Sequence, residues 1–149
     1  LRAGGERIEG DTILRTLSRS RALSADVTAG IDPSWEAVHD MKNDARMGHG
    51  ICLTKYTGSR GKAGASDAHA EFVGRIRRTW NDAGVLWQAG ELGKVDEGGG
   101  GTVAKFLAAL GMEVLDAGPP LLSMHSPFEI AHKADLWMTR RAYEAFLKG

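Results

Sequence analysis

Two residues stand where an α/β protein would place the walls of a ligand crevice. Asp26 ends the short apolar run ALSAD, and His125 directly follows LLSM. Ligand sites in open α/β sheets lie beyond the carboxyl ends of strands, so both could project into one crevice despite their separation in sequence. Each also has a plain structural alternative. Asp26 could cap the turn that follows it, and His125, two residues before Pro127, could be a ring held rigid for packing. His39, beside Asp40, could be a ligand, a substrate contact or an ordinary loop residue. The other histidines, His49, His69 and His132, read as surface or solvated side chains. None of the five forms H-E-x-x-H or a Cys/His cluster, so local spacing assembles no zinc site. Lys55 lies in the β-rich run GICLTKY, and a lysine in a half-buried strand must reach solvent or find an acidic partner. Cys52, in the same run, reads as a small buried hydrophobe, and no G-x-S-x-G elbow exists.

The run Gly98 to Gly101 before Thr102 offers a third kind of chemistry. Glycines let main chain approach a ligand closely, and a following helix start presents free N–H groups to an anion. The run lacks both the P-loop spacing and the dinucleotide-fold spacing. It can therefore be a tight structural turn, an oxyanion or peptide-carboxyl loop, or a nucleotide-phosphate loop.

Strands and helices must alternate to hold these residues. The pattern predicts a short amphipathic helix over 9–19 capped by Asp11, with Ile13, Leu14 and Leu17 on one face, and strands over 22–26, 50–56, 85–88, 112–115 and 121–124. Residues 30–49 read as loop with at most one helical turn, and 57–66 as loop. Further helices are expected from Asp67 as cap to Asp82, from Thr102 as cap to Leu110, and over 135–148. Their inward stripes are Phe72, Val73, Ile76 and Trp80; Val103, Phe106, Leu107 and Leu110; and Leu136, Tyr143, Phe146 and Leu147. Alternation at this spacing implies an α/β layer with a substantially parallel sheet.

Composition narrows the partners. Nineteen Lys and Arg balance nineteen Asp and Glu, so no field of one sign is available to hold nucleic acid or an anionic membrane. No apolar run is long enough to span a bilayer. Twenty glycines in 149 residues are roughly twice the ordinary share of about 7%, yet no three-residue period marks a fibrous protein. The single cysteine fits a reducing compartment.

Taken in order, SADV at 24–27, DPSWEAVHD at 32–40, KYTGSRGK at 55–62, SDAHAEF at 66–72, ELGKVDEGGGGTVAKF at 91–106 and LLSMHSPFEIAHKAD at 121–135 resemble one family. It is the aspartyl aminopeptidase and aminopeptidase I family of dinuclear zinc exopeptidases, in its bacterial branch. The resemblance implies a zinc-exopeptidase-like α/β/α layer with a mixed, largely parallel sheet. It implies that residues 1–149 are the C-terminal portion of a catalytic domain, without the N-terminal portion or the inserted dimerisation domain.

By the resemblance, Asp26 is the non-bridging aspartate ligand of one zinc and His125 the C-terminal histidine ligand of the other. Lys55 aligns with the lysine that meets an acidic N-terminal side chain, and Asp32 stands where the acidic-specific branch carries a histidine. His39 matches a recurring loop histidine on the substrate side. Gly99 and Gly100 would let the peptide main chain lie close to the metals. The sequence contains no Glu-Glu pair and no His-x-Asp, so the general base and the bridging ligand are expected elsewhere, and this chain alone is expected to be inactive. The implied function is removal of N-terminal residues from peptides by a water that two zinc ions activate, in a cytoplasmic homo-oligomer built from dimers to a dodecamer. Two rival readings carry other expectations: a peptidase-like scaffold without chemistry, and a nucleotide module on the Gly98 to Gly101 loop.

Overall fold

Alternating apolar residues dictate the central sheet. Ile51 and Leu53 on one strand and Leu115 and Ala117 on another are buried and point to the same side. In the computed structural model, which describes residues 10–59, 63–94 and 96–149, they meet helices there. The chain runs α1 (Thr12–Ser18), β1 (Arg21–Ser24), β2 (Thr28–Ala29), a 3-10 turn (Glu36–Val38), β3 (Ile51–Thr54), β4 (Tyr56–Ser59) and β5 (Ala63–Asp67). It continues through α2 (Ala70–Asp82), β6 (Trp87–Ala89), β7 (Gly99–Gly100), α3 (Ala104–Ala108), β8 (Glu113–Gly118), β9 (Pro120–Leu122), β10 (Ile130–Ala131) and α4 (Lys133–Lys148).

The main sheet has the order β1-β8-β3-β6. The outer pairs β1–β8 and β3–β6 are parallel and the central β8–β3 pair is antiparallel, which makes the sheet mixed. One face carries α2 and α4. Phe72, Ile76 and Trp80 recur at helical spacing in α2 and are buried with Ala142 of α4 against Ile51, Leu53 and Leu115. The Trp80 indole N–H donates to the Ala142 carbonyl at 3.2 Å, so the large ring is satisfied as well as buried. Val114 and Asp116 point to the other face, where Thr102, at the entry to α3, donates to Asp116 at 2.9 Å. An α/β layer with helices on both faces is the result. Among the described residues no helix is long and apolar enough to cross a membrane.

Two small sheets flank this layer, in the orders β10-β9-β2 and β5-β4-β7. Neither follows from hydrophobic periodicity. Residues 57–59 and 63–66, expected as loop, lie in the antiparallel strands β4 and β5, with Tyr56 opposite Asp67 and Thr57 opposite Ser66. Residues 60–62, like Glu9 and Val95, lie outside the described residues.

Several expected helix details are corrected. Asp67 does not cap α2: its main chain is held in β5, and the cap position falls on His69. Thr102 does accept the Ala104 N–H at 3.2 Å, but α3 is only five residues long and buries Ala104 instead of its apolar stripe. Val103, Phe106 and Leu110 are exposed, because little more than one turn anchored at its first residue cannot press two turns of side chain inward. Ile13 and Leu14 are exposed likewise, and Asp11 pairs with Arg15 without capping α1. In α4 the buried line is Asp135, Thr139 and Ala142, while Leu136 and Leu147 face outward. Asp135 explains the rotation: its fully buried carboxylate accepts the N–H groups of Gly48 and Gly50, each at 2.7 Å. His132, expected to be merely solvated, accepts the Ala134 N–H at 3.3 Å and starts that helix.

Candidate metal and substrate site

Asp26 owes its place to a glycine. After β1 the Asp26 N–H returns to the Ser24 carbonyl at 2.9 Å, turning the chain before β2. Gly118 at the end of β8 lies so close that a Cβ there would overlap the Asp26 carbonyl oxygen. The aspartate is half-buried, and its carboxylate accepts no hydrogen bond among the described residues. Its charge is felt nearby. Burial pushes the Asp116 carboxyl up, and the charge of Asp26 adds to that. The Tyr143 phenol, which donates to the Ala117 carbonyl at 2.6 Å, is pushed up to about 12 by burial first and Asp26 second.

His125 lies beyond β9, in the connection to antiparallel β10. It is exposed, with a left-handed φ of 67°, and its own N–H donates to the Glu129 carboxylate at 2.6 Å. That bond ties the connection back on itself and leaves both ring nitrogens without a partner among the described residues. Strands β2 and β9 run parallel with Thr28 opposite Pro120 and Ala29 opposite Leu121. Asp26 therefore precedes the first rung of this pair and His125 follows the last. A carboxylate oxygen and an imidazole nitrogen are donors that suit zinc, and here both are free to bind. They stand at opposite ends of the β2–β9 pair, and the described residues contain no cluster of three or more His, Cys, Asp or Glu that could hold an ion.

Lys55 stands at the bend between β3 and β4, on the wall of a cavity of about 410 Å³. Asp67, Glu91, Lys94, Asp96 and Gly99 share that wall. The partner that a strand lysine requires is Asp67, which forms an ion pair with the Lys55 ammonium. Burial pushes the Glu91 carboxyl up, and Asp44 and Asp67 push it further. Gly99 lines the cavity while pairing with Ser59, and Gly100 pairs with Gly58. The two central glycines of the run thus form strand β7. It is packed tightly: a Cβ on Gly98 would crowd Gly93, and one on Gly100 would come within 3.0 Å of Leu92.

His39 is away from that cavity wall and is fully engaged. Its Nδ1 is 2.7 Å from the buried Asp44 carboxylate, and its Nε2 accepts the Asp32 N–H at 3.2 Å. With one ring nitrogen donating and the other accepting, it braces the loop around the 3-10 turn. Burial pushes the Asp44 carboxyl up, opposed by the His39 hydrogen bond.

The structure thus gathers Lys55 and Gly99 in one cavity, sets Asp26 and His125 at opposite ends of the β2–β9 pair, and ties His39 into the loop. Asp67, Glu91 and Asp116 join the candidate site only in the folded chain. The requirement that Lys55 find an acid could have pointed to Asp67; Glu91 and Asp116 carry no local signal.

The family model described as aminopeptidase I zinc metalloprotease (M18) matches residues 3–147. A "Probable M18 family aminopeptidase 1" of Thermotoga neapolitana is 52% identical over 145 residues, which is 97% of this chain and 32% of that protein. The crystal structure of an M18-family aminopeptidase from Thermotoga maritima superposes with a TM-score of 0.94 at 48% identity, covering 99% of this chain and 33% of that one. The Saccharomyces cerevisiae mApe1 dodecamer shares the fold, with a TM-score of 0.72 at 19% identity over 96% of this chain and 29% of that one. The chain spans about a third of the length of the relatives it matches. On a family match that runs nearly from end to end, the chain belongs to the M18 family of aminopeptidase I zinc metalloproteases.

Proposed function

We propose that this chain is the C-terminal portion of the catalytic domain of a zinc-dependent aminopeptidase that removes N-terminal residues from peptides. The family match over residues 3–147 carries the reading. Asp26 and His125 would each hold one of two zinc ions, and both offer ligand atoms that no other described group occupies. Bound zinc supplies Lewis acidity and a water acidic enough to be deprotonated near neutral pH.

The chain's own residues bind and orient. Gly118 lets the main chain at Asp26 approach β8, which fixes where that carboxylate emerges. The Glu129 carboxylate holds the His125 main chain in its left-handed turn. The cavity beside Lys55 would take the peptide's first side chain, with Gly99 admitting main chain on its wall. His39 belongs in this reading as a brace for the loop at Asp32, not as a direct substrate contact. The bridging ligand and the general base are assigned to parts of the protein outside this chain. Assembly into a homo-oligomer, and a cytoplasmic setting in which buried Cys52 stays reduced, belong to the same proposal.

The test is calorimetric titration of zinc into this chain and into a longer protein that carries it. The reading expects weak binding by the chain, a tight two-ion site in the longer protein, and weakening of that site by Asp26→Asn or His125→Ala. Equal zinc affinity in the variants would refute the assignment.

A further inference from the structure

Arginine partners show a pattern that the peptidase reading does not use. Among the described residues, Arg15 pairs with Asp11, Arg46 donates to the Met41 carbonyl, and Arg141 donates to the Ala83 carbonyl. Arg77 lies over Trp87 and Arg140 over Trp137. The four described arginines left without a side-chain partner are Arg19, Arg21, Arg75 and Arg78, and all four line one cavity of about 510 Å³.

Three elements make the convergence. Arg75 and Arg78 are three apart on α2 and so share a face, while the junction between α1 and β1 brings Arg19 and Arg21 against it. All four are exposed. Two carboxylates, Glu71 and Glu113, also line the recess, but the Glu113 carboxylate is held by the His69 ring at 2.6 Å. Four unpaired guanidinium groups against two carboxylates leave this recess with an excess of positive charge in a chain of zero net charge, and a bound anion lowers the repulsion among them. Planar guanidinium forks match tetrahedral oxyanions two bonds at a time, a geometry that lysines would not supply.

We propose that this four-arginine recess is a binding site for a phosphate-class oxyanion, either the free ion or the phosphate group of a monoester. The experiment follows amide and arginine side-chain NMR shifts of the full chain during titration with inorganic phosphate. A second arm uses adenosine monophosphate, and ionic strength is held constant with sodium chloride in both. Saturable shifts confined to α2 and the α1–β1 junction are expected, with affinity falling about tenfold or more in Arg75→Ser/Arg78→Ser and in Arg19→Ser/Arg21→Ser. Arg140→Ser, on the opposite end of the sequence, should bind as the parent does. Equal affinities in the two arms assign the site to the dianion alone, and tighter binding of the monoester assigns it to a phosphorylated molecule. Shifts that never saturate, or that persist unchanged in both double variants, would overturn the proposal.

Discussion

A lysine on a cavity wall recognises only as much negative charge as its neighbours leave uncompensated. Lys55 is compensated by Asp67, and both side chains are substantially exposed, so the pair is screened and modest in strength. In an aminopeptidase built on this chain, Asp67→Asn should therefore shift preference toward acidic N-terminal residues by about two- to fivefold. The readout is the ratio of kcat/KM on glutamyl against leucyl substrates; an unchanged ratio would remove Lys55 from the recess that selects the first residue. Gly118 is the other single position on which the site depends. A side chain there must displace the Asp26 carbonyl, and overpacking of that kind costs about 1–3 kcal/mol. Gly118→Ala should lower the urea midpoint at unchanged slope, and an unaltered midpoint would mean the close approach is slack. That Asp26 follows β1 and His125 follows β9 was legible in the sequence, because strand ends are visible. Asp67 was not, because a local rule assigned it to a helix cap while its true partner is Lys55, across the hairpin.

The elements that sequence periodicity revealed are those whose buried residues are apolar and regularly spaced. Helix α2 is the plain case, with Phe72, Ile76 and Trp80 in one line. Strands β4, β5 and β7 are rich in glycine, serine and threonine, and their pairing is a long-range fact that no window of sequence contains. Helix α4 misled for a different reason: its buried line begins with a carboxylate. Asp135→Ala would orphan the Gly48 and Gly50 N–H groups and should cost about 3 kcal/mol in chemical denaturation. A loss below the error of the measurement would show that water replaces the carboxylate. At the start of α2, the Glu113 hydrogen bond and charge raise the proton affinity of His69 above its ordinary value near 6.5. Because the folded value is the higher one, this contact's stabilisation is full below about pH 6.5 and is lost as pH rises through the raised value. His69→Gln should remove that dependence from the stability–pH curve, and an identical curve in the variant would assign the dependence elsewhere.

At the scale of the whole molecule, the chain carries a well-packed core and a large apolar surface together. Trp35, Phe106, Phe128, Trp137 and Leu147 are all more than half exposed. Large apolar side chains exposed in this number favour association with other protein. The isolated chain should self-associate with concentration in sedimentation velocity, and a single monomeric species across the range would contradict that. The α/β class was legible from sequence because it follows from alternation of elements. The two flanking sheets and the oxyanion recess were not, since each is made by residues far apart in the chain.

The most direct measurement of the central claim is zinc-dependent release of the N-terminal residue from short peptides by a longer protein carrying this chain. The parent is compared with His125→Ala, and zinc content is measured alongside. Turnover that chelation abolishes and zinc restores is expected, with loss of about one zinc per chain and of nearly all activity in the variant. Undiminished hydrolysis by His125→Ala, or none by the zinc-loaded parent, would contradict it.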